Sequence, residues 1–212
     1  MTTRAVMIAE FKKDVFRSDS DIDALAANAI NAAIDQYQSQ RFYFNETRDE
    51  TFTTVAAQYW YSATDDAAIP KFIKLDELFI YDNGRAVELC RMPPSRFENL
   101  TDNSAANGRP YAFTWYNQKL GLYPIPQQAY TVRMMGHIKI DAPSSDSEAN
   151  NVWMTEAYYL ILRAAERFFH SVMTGDMQMA QIAAMSEEEA LRQLRSETSR
   201  KVAGNTVCKT QW

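Results

Sequence analysis

Catalysis or metal binding by this 212-residue chain would have to draw on two histidines, two cysteines and a few closely spaced carboxylates. His170 follows Glu166 by four residues, a spacing that stacks both on one helix face, as in metal-ligand pairs. No third ligand or partner motif accompanies them, so the spacing predicts a hydrogen bond on the helix surface, near a C-terminus that favours imidazolium. His137 falls on the polar side of an alternating segment, where an exposed histidine is expected. Asp82-Asn83-Gly84 has the start of a calcium loop, but the position six residues after the glycine is Cys90 instead of glutamate. It reads as a hairpin turn. Asp76 and Glu77 are neighbours on a strand pattern and so point to opposite faces, which prevents them from sharing a site; a second carboxylate pair, Asp65-Asp66, falls in a polar loop. Glu187 to Glu189 reads as a charge run on a solvated helix face. There is no glycine-rich phosphate loop, G-x-S-x-G elbow or H-E-x-x-H motif. No catalytic residue, metal ligand or cofactor is called for, and an enzyme is the least favoured class.

The elements that must position these residues follow a helix, strand, helix order. Thr3 can cap a first helix ending near Phe16, with Ile8, Phe11 and Val15 on one face. Ser20 with Asp23 resembles a capping box for a second helix that carries Ile22, Leu25, Ala29, Ala33 and Tyr37. After Arg41 the chain becomes aromatic and β-branched: Phe42-Tyr43-Phe44, a strand over Thr51–Ala56, and another at Tyr59–Tyr61. A hairpin is expected from Phe72–Tyr81 and Arg85–Met92 about Asn83-Gly84. Pro93 and Pro94 favour a short helical turn, and 101–108 a surface loop.

The segment 108–141 then spells three antiparallel strands. Ala112–Tyr116 pairs with Leu120–Tyr123 through Asn117, Gln118 and Lys119, and Pro124 and Pro126 stop the ladder. In the third strand Tyr130, Val132, Met134, Gly136, Ile138 and Ile140 share one face, with Thr131, Arg133, Met135, His137 and Lys139 on the other. The aromatics from Tyr111 to Tyr130 could stack bases or sugars, but core packing is the stronger expectation because basic neighbours are sparse. Beyond a polar loop, helix resumes near Trp153, stops at Gly175, and starts again with Asp176 as cap, running to about Lys201. The fold class is α+β. Residues 1–45 and 143–203 form one helical bundle, 46–142 an inserted antiparallel β domain (sandwich or small barrel), and 204–212 a tail.

Composition narrows the function. An apolar fraction of 46% and a charged fraction of 23% are those of a globular protein, and the net charge of −5 argues against a chain whose task is gripping phosphates. The start, MTTRAVMIAEFKKDVF, lacks the apolar region of a signal peptide, and the longest apolar run, Ala157–Ala165, is broken by Arg163. Cys90 and Cys208 fit reduced thiols. A soluble protein with no membrane partner is expected.

RFYFNETRDETFTTVA (Arg41 to Ala56) resembles the head-to-tail adaptor, or connector, proteins of short-tailed and related bacteriophages. There an aromatic R-F-W-F-N-E-like segment precedes a T-F-x-T strand; here Tyr43 replaces the tryptophan, and Phe42, Phe44 and Asn45 match. Gly108-Arg109-Pro110, then Leu122-Tyr123-Pro124-Ile125-Pro126 and Tyr130, are similar to the family's G-x-P … L-x-L-Y-P-x-P … Y pattern, and Trp153 to its helix-opening segment. Ala57 departs from it, since a turn glycine is common at that place. The resemblance implies a virion protein of the neck, twelve copies in a ring between portal protein and tail (nozzle) protein, and double-stranded DNA crossing the lumen without sequence-specific binding. It carries no catalytic residues. The apolar positions of the tail, with Val207, Lys209, Gln211 and Trp212 as candidate contacts, point to docking on the portal or a neighbouring copy. The alternative class is a tail-fibre or baseplate module that recognises carbohydrate through aromatic strands.

Overall fold

The computed structural model describes residues 2–17, 21–103 and 106–202. The protein is α+β, with helices from both chain ends and antiparallel sheets between them. It divides into two compact units, Met1–Phe44 with Ile140–Trp212, and Asn45–Lys139.

In the helical unit the caps expected at Thr3 and Asp176 are in place. The Thr3 hydroxyl accepts from the Val6 amide at the start of α1 (Arg4–Asp14). Helix α2 (Asp21–Tyr37) buries Ala26, Ala29 and Ala33 with Ile22, Ile30 and Ile34, so small residues let it approach its neighbours closely. Its suggested cap, Ser20, lies outside the described residues. Asn151 caps the short α4 (Val152–Thr155) by accepting from the Trp153 amide at 3.1 Å. Helix α5 (Tyr158–Phe168) continues into a π-helical segment, Phe169–Thr174, which ends at Gly175 in the left-handed region with φ 69°. Asp176 then accepts from the Met179 amide and opens α6 (Met177–Val202). Helix α5 packs against α1, α2 and α6 and is the centre of this unit. Around it lie Phe11, Phe42, Trp153 and Phe169, all buried.

The β unit has two four-stranded sheets. The first orders β1 (Glu46–Thr53), β10 (Thr131–Ile138), β3 (Phe72–Asp82) and β4 (Arg85–Glu88), all antiparallel. The second orders β2 (Trp60–Tyr61), β8 (Lys119–Tyr123), β7 (Ala112–Tyr116) and β5 (Cys90–Arg91). Phe52, Leu78, Ile80, Val132 and Met134 from the first sheet share one core with Tyr61, Phe113, Leu120 and Leu122 from the second, which makes a sandwich. A third, parallel pair joins β6 (Asn107–Gly108) to β9 (Ile125–Pro126). Helix α3 (Pro94–Asn103) buries Phe97 beside Met92, Ala112 and Tyr123.

Four local expectations change. Strand β1 begins at Glu46, not Thr51: it is an edge strand, and its charged half reads as loop in the sequence while suiting a solvent-facing edge. The return from the Asn83-Gly84 turn is not one strand. Leu89 is buried and donates to the Leu78 carbonyl, after which Cys90 leaves the first sheet and pairs in parallel with Ala112. The hairpin at Asn117-Gln118 has two turn residues, both with positive φ, because Lys119 pairs with Tyr116. The proline-favoured turn after Met92 is a helix of 10 residues that takes in Thr101–Asn103. Ala57, where the resemblance led one to expect glycine, does sit at positive φ, 65°, its amide donating to the Pro126 carbonyl.

His137 is buried, contrary to the exposed position its alternation implies. The register of β10 against β3 shifts between Met135 and Gly136 and again between His137 and Ile138, so the period of two fails there. Its Nδ1 lies 3.2 Å from an Asp76 carboxylate oxygen, and that carboxylate also holds Lys74 at 3.0 Å. The bulge depends on Gly136, where a Cβ would come within 2.2 Å of the Lys74 carbonyl oxygen. Gly136→Ala therefore displaces backbone and is expected to destabilise the protein by about 1–3 kcal/mol in urea unfolding. Asp35→Ala, on the exposed side of α2, is expected to change stability by less than about 0.5 kcal/mol.

Candidate docking surfaces

The residues singled out from the sequence fall into separate groups. Phe42 and Phe44 stack with ring centroids 5.2 Å apart, and Trp153 meets both edge-on at 6.3 and 5.4 Å. The Trp153 indole donates to the Ile140 carbonyl at 3.0 Å, which ties the chain where it returns to the helical unit. Asn45, next in sequence, is buried. In the β unit Pro110, Leu122, Tyr123 and Pro126 are buried and Pro124 partly so, with Gly108 packed on the Pro124 ring. These residues position strands and offer little surface to a partner. Val207, Lys209, Gln211 and Trp212 lie outside the described residues.

Buried charge ties the helices. Glu187, read from sequence as part of a solvated run, is only 5% exposed. It accepts from the Tyr37 hydroxyl at 2.5 Å and from Arg167, and Gln36 bridges to both Glu187 and Arg167. Three helices thus share one carboxylate, and burial together with that carboxylate raises the Tyr37 hydroxyl well above its usual range. The neighbouring Glu188 and Glu189 are exposed, as expected. Glu166 is also buried and does not serve His170: Arg163, one turn before it on α5, holds it at 2.7 Å and reaches Asp14 at the end of α1 at 3.1 Å. His170 instead lies edge-on to Phe169, within the π-helical segment. Tyr158 donates to Glu10 at 2.5 Å, a second tie from α5 to α1. The Tyr43 hydroxyl donates to Glu156, and Lys201 lies 3.6 Å from the centre of its ring.

The exposed apolar residues were missed in the sequence. Phe16 is 90% exposed, in the left-handed region directly after α1, with Lys12, Lys13 and Arg17 around it. On α6, Ile182 and Met185 stand 52% and 70% exposed on the face opposite Ala180, Ala183 and Glu187; Val172 and Met177 are exposed as well. The available signal was the wheel of α6, which puts apolar residues on two faces where one core-facing stripe suffices. Among the described residues no cluster of histidine, cysteine or carboxylate could hold a metal ion, and no helix is long and apolar enough to cross a membrane.

The chain combines helices from both ends with a β insertion, and its helical unit carries exposed apolar residues. The family model described as SU10 adaptor protein matches residues 2–207, and the chain belongs to that family. It is a phage adaptor, a structural protein of the virion neck. No curated protein matches the chain.

Burial, countered by the Arg163 bonds and reinforced by Asp14, pushes the Glu166 carboxyl up to about 7. A folded pKa above the unfolded value of 4.5 means that its contribution is complete below pH 4.5 and is lost as pH rises through about 7. Glu166→Gln is expected to remove this slope. Denaturation midpoints of the two proteins across pH 4 to 8 check it: the advantage of the parent over the variant should shrink as pH rises from about 4.5 to 7.

Proposed function

We propose that this adaptor assembles as a ring on the portal protein and joins it to the tail (nozzle) protein, its lumen forming part of the DNA channel. The observation that carries this reading is the exposed apolar surface of the helical unit. A ring needs two different, complementary patches on each copy, so that the contact propagates and closes by rotation. Phe16, just after α1, with its basic surround, and the Ile182–Met185 face of α6 are two such patches. The resemblance to connector proteins supports twelve copies. A net charge of −5 suits a lumen that DNA passes without sequence-specific binding. The β unit would meet tail proteins or adjacent subunits through the loops at 62–68 and 101–108, part of the latter forming the end of α3. Val207, Lys209, Gln211 and Trp212 would dock on the portal or a neighbour once assembly begins. The carbohydrate reading is weakened by Phe113, Tyr123 and Tyr130, which are buried and leave no continuous aromatic platform.

Native mass measurement of the protein mixed with its portal ring tests the reading. A discrete increment of whole adaptor copies is expected; glycan binding with no increment would overturn it. Phe16→Asp should weaken the increment by about 30-fold in concentration if it is a central anchor. Deletion of 205–212 should abolish portal attachment, and unchanged attachment would remove the tail from the contact.

A further inference from the structure

Phe16 stands just past the end of α1 at φ 54°, a left-handed conformation that a residue with a bulky side chain rarely adopts. Its ring is almost wholly exposed, so no packing among the described residues offsets the strain. The surround is positive, with Lys12, Lys13 and Arg17. Lys12 is held by Asp23 at 2.7 Å, whereas Lys13 is exposed on the last turn of α1. On α6 the residues Ile182, Met185 and Glu189 follow at spacings of three and four and so share one helix face. With Ser186, Glu188 and Arg192 they line a hollow of about 700 Å³, ample for an aromatic ring. Glu188 meets Arg192 at 3.5 Å, so the excess charge of the hollow is that of Glu189.

We propose that Phe16 of one copy seats in the Ile182–Met185 hollow of the next, with Lys13 beside Glu189 across the joint. The proposal rests on the ring reading and names the residues that join its copies. Both halves of the match are carried by this chain, a positive apolar knob and a negative apolar hollow, which favours a second copy over a different partner. Helix α1 packs on α2 and α5, whereas α6 packs on α5 and the π-helical segment, so one copy can offer both surfaces at once. That is the condition for a head-to-tail contact. The Met185 thioether suits an aromatic ring, since sulfur and ring edges attract and the unbranched side chain adapts to the shape it meets. Lys13 precedes Phe16 and Met185 precedes Glu189, so both pairs form together only where α1 and α6 of adjacent copies run antiparallel. One phenylalanine buries about 150–250 Å², well short of the roughly 1,200 Å² of a stable pair. The joint is therefore weak between free copies and closes where copies are held side by side, because proximity raises their effective concentration.

The test uses full-length chains with Cys90 and Cys208 replaced by serine, one carrying K13C and the other E189C. They are mixed in equal amounts with a short bis-maleimide, both as concentrated free chain and on the portal ring. The K13C–E189C link is expected on the portal at a yield at least about ten-fold above that of a D35C–E189C control, and weakly in the free chain. A yield equal to the control in both samples, or a larger yield of K13C–K13C or E189C–E189C pairs, would overturn the proposal. Native mass measurement of the same portal mixtures separates the two readings. Whole copies gained without the link sink this joint and leave the ring standing, whereas a link in the free chain with no copies gained does the reverse. Charge reversal supplies a check that needs no cysteine. K13E and E189K should each raise the concentration needed to fill the portal by about five-fold or more, and K13E/E189K should restore it. Loss in the double variant equal to the sum of the single losses counts against the proposal.

Discussion

A helix packed on three sides has little face left for water, and α5 is in that position, with Tyr159 exposed at its start. Its sequence nevertheless carries Arg163, Glu166 and Arg167 between buried Leu162, Ala164 and Ala165. Arg163 and Arg167 keep 32% and 29% of their side chains exposed, but Glu166 is buried, and a carboxylate so placed must be met by charge or by hydrogen bonds. That requirement sets the arrangement of the rest. Arg167 calls Glu187 from α6 and Gln36 from α2, while Arg163 and Glu166 call Asp14 from α1. Apolar packing holds these helices together; the charged set fixes how far each can slide along its neighbours. A register slip by one turn would leave a carboxylate buried without a donor, at a cost of several kcal/mol.

The same logic explains which parts of the molecule could be read in advance. Local chemistry was legible: Thr3 and Asp176 as caps, Gly175 as a stop, Asn83-Gly84 as a turn, and the Asn117 hairpin. Each of these depends on a residue and its immediate neighbours. The misreadings at Glu187, Glu166 and His137 are of residues whose environment comes from elsewhere in the chain. Glu187 looks solvated unless Tyr37 and Arg167 are known to face it. Glu166 and His170 look like partners on one helix until Arg163 and Asp14 claim the carboxylate. His137 follows its alternation only while the register lasts, and Gly136, a position with no room for a side chain, is where it breaks.

Candidate contact surfaces were less legible than the fold for a related reason. A residue left exposed is written in the same letters as one that packs, and Phe16, Ile182 and Met185 look like ordinary core formers. Only their placement in the folded unit shows that no described residue of it covers them. The family markers behave in the opposite way. Phe42, Phe44, Trp153 and the Tyr123–Pro126 turn are vivid in the sequence because packing demands them, and they are mostly buried for that reason.

The β unit begins and ends on paired neighbours, with Glu46 on β1 opposite His137 on β10. Mechanically, this is a zipper and not a lap joint. A pull applied at 45 and 139 would meet the β1–β10 hydrogen bonds one after another from that end, so little tension could be carried across them. Compression or twist would instead load the whole sandwich core at once. A neck component built in this way resists being squeezed or turned far better than being drawn apart.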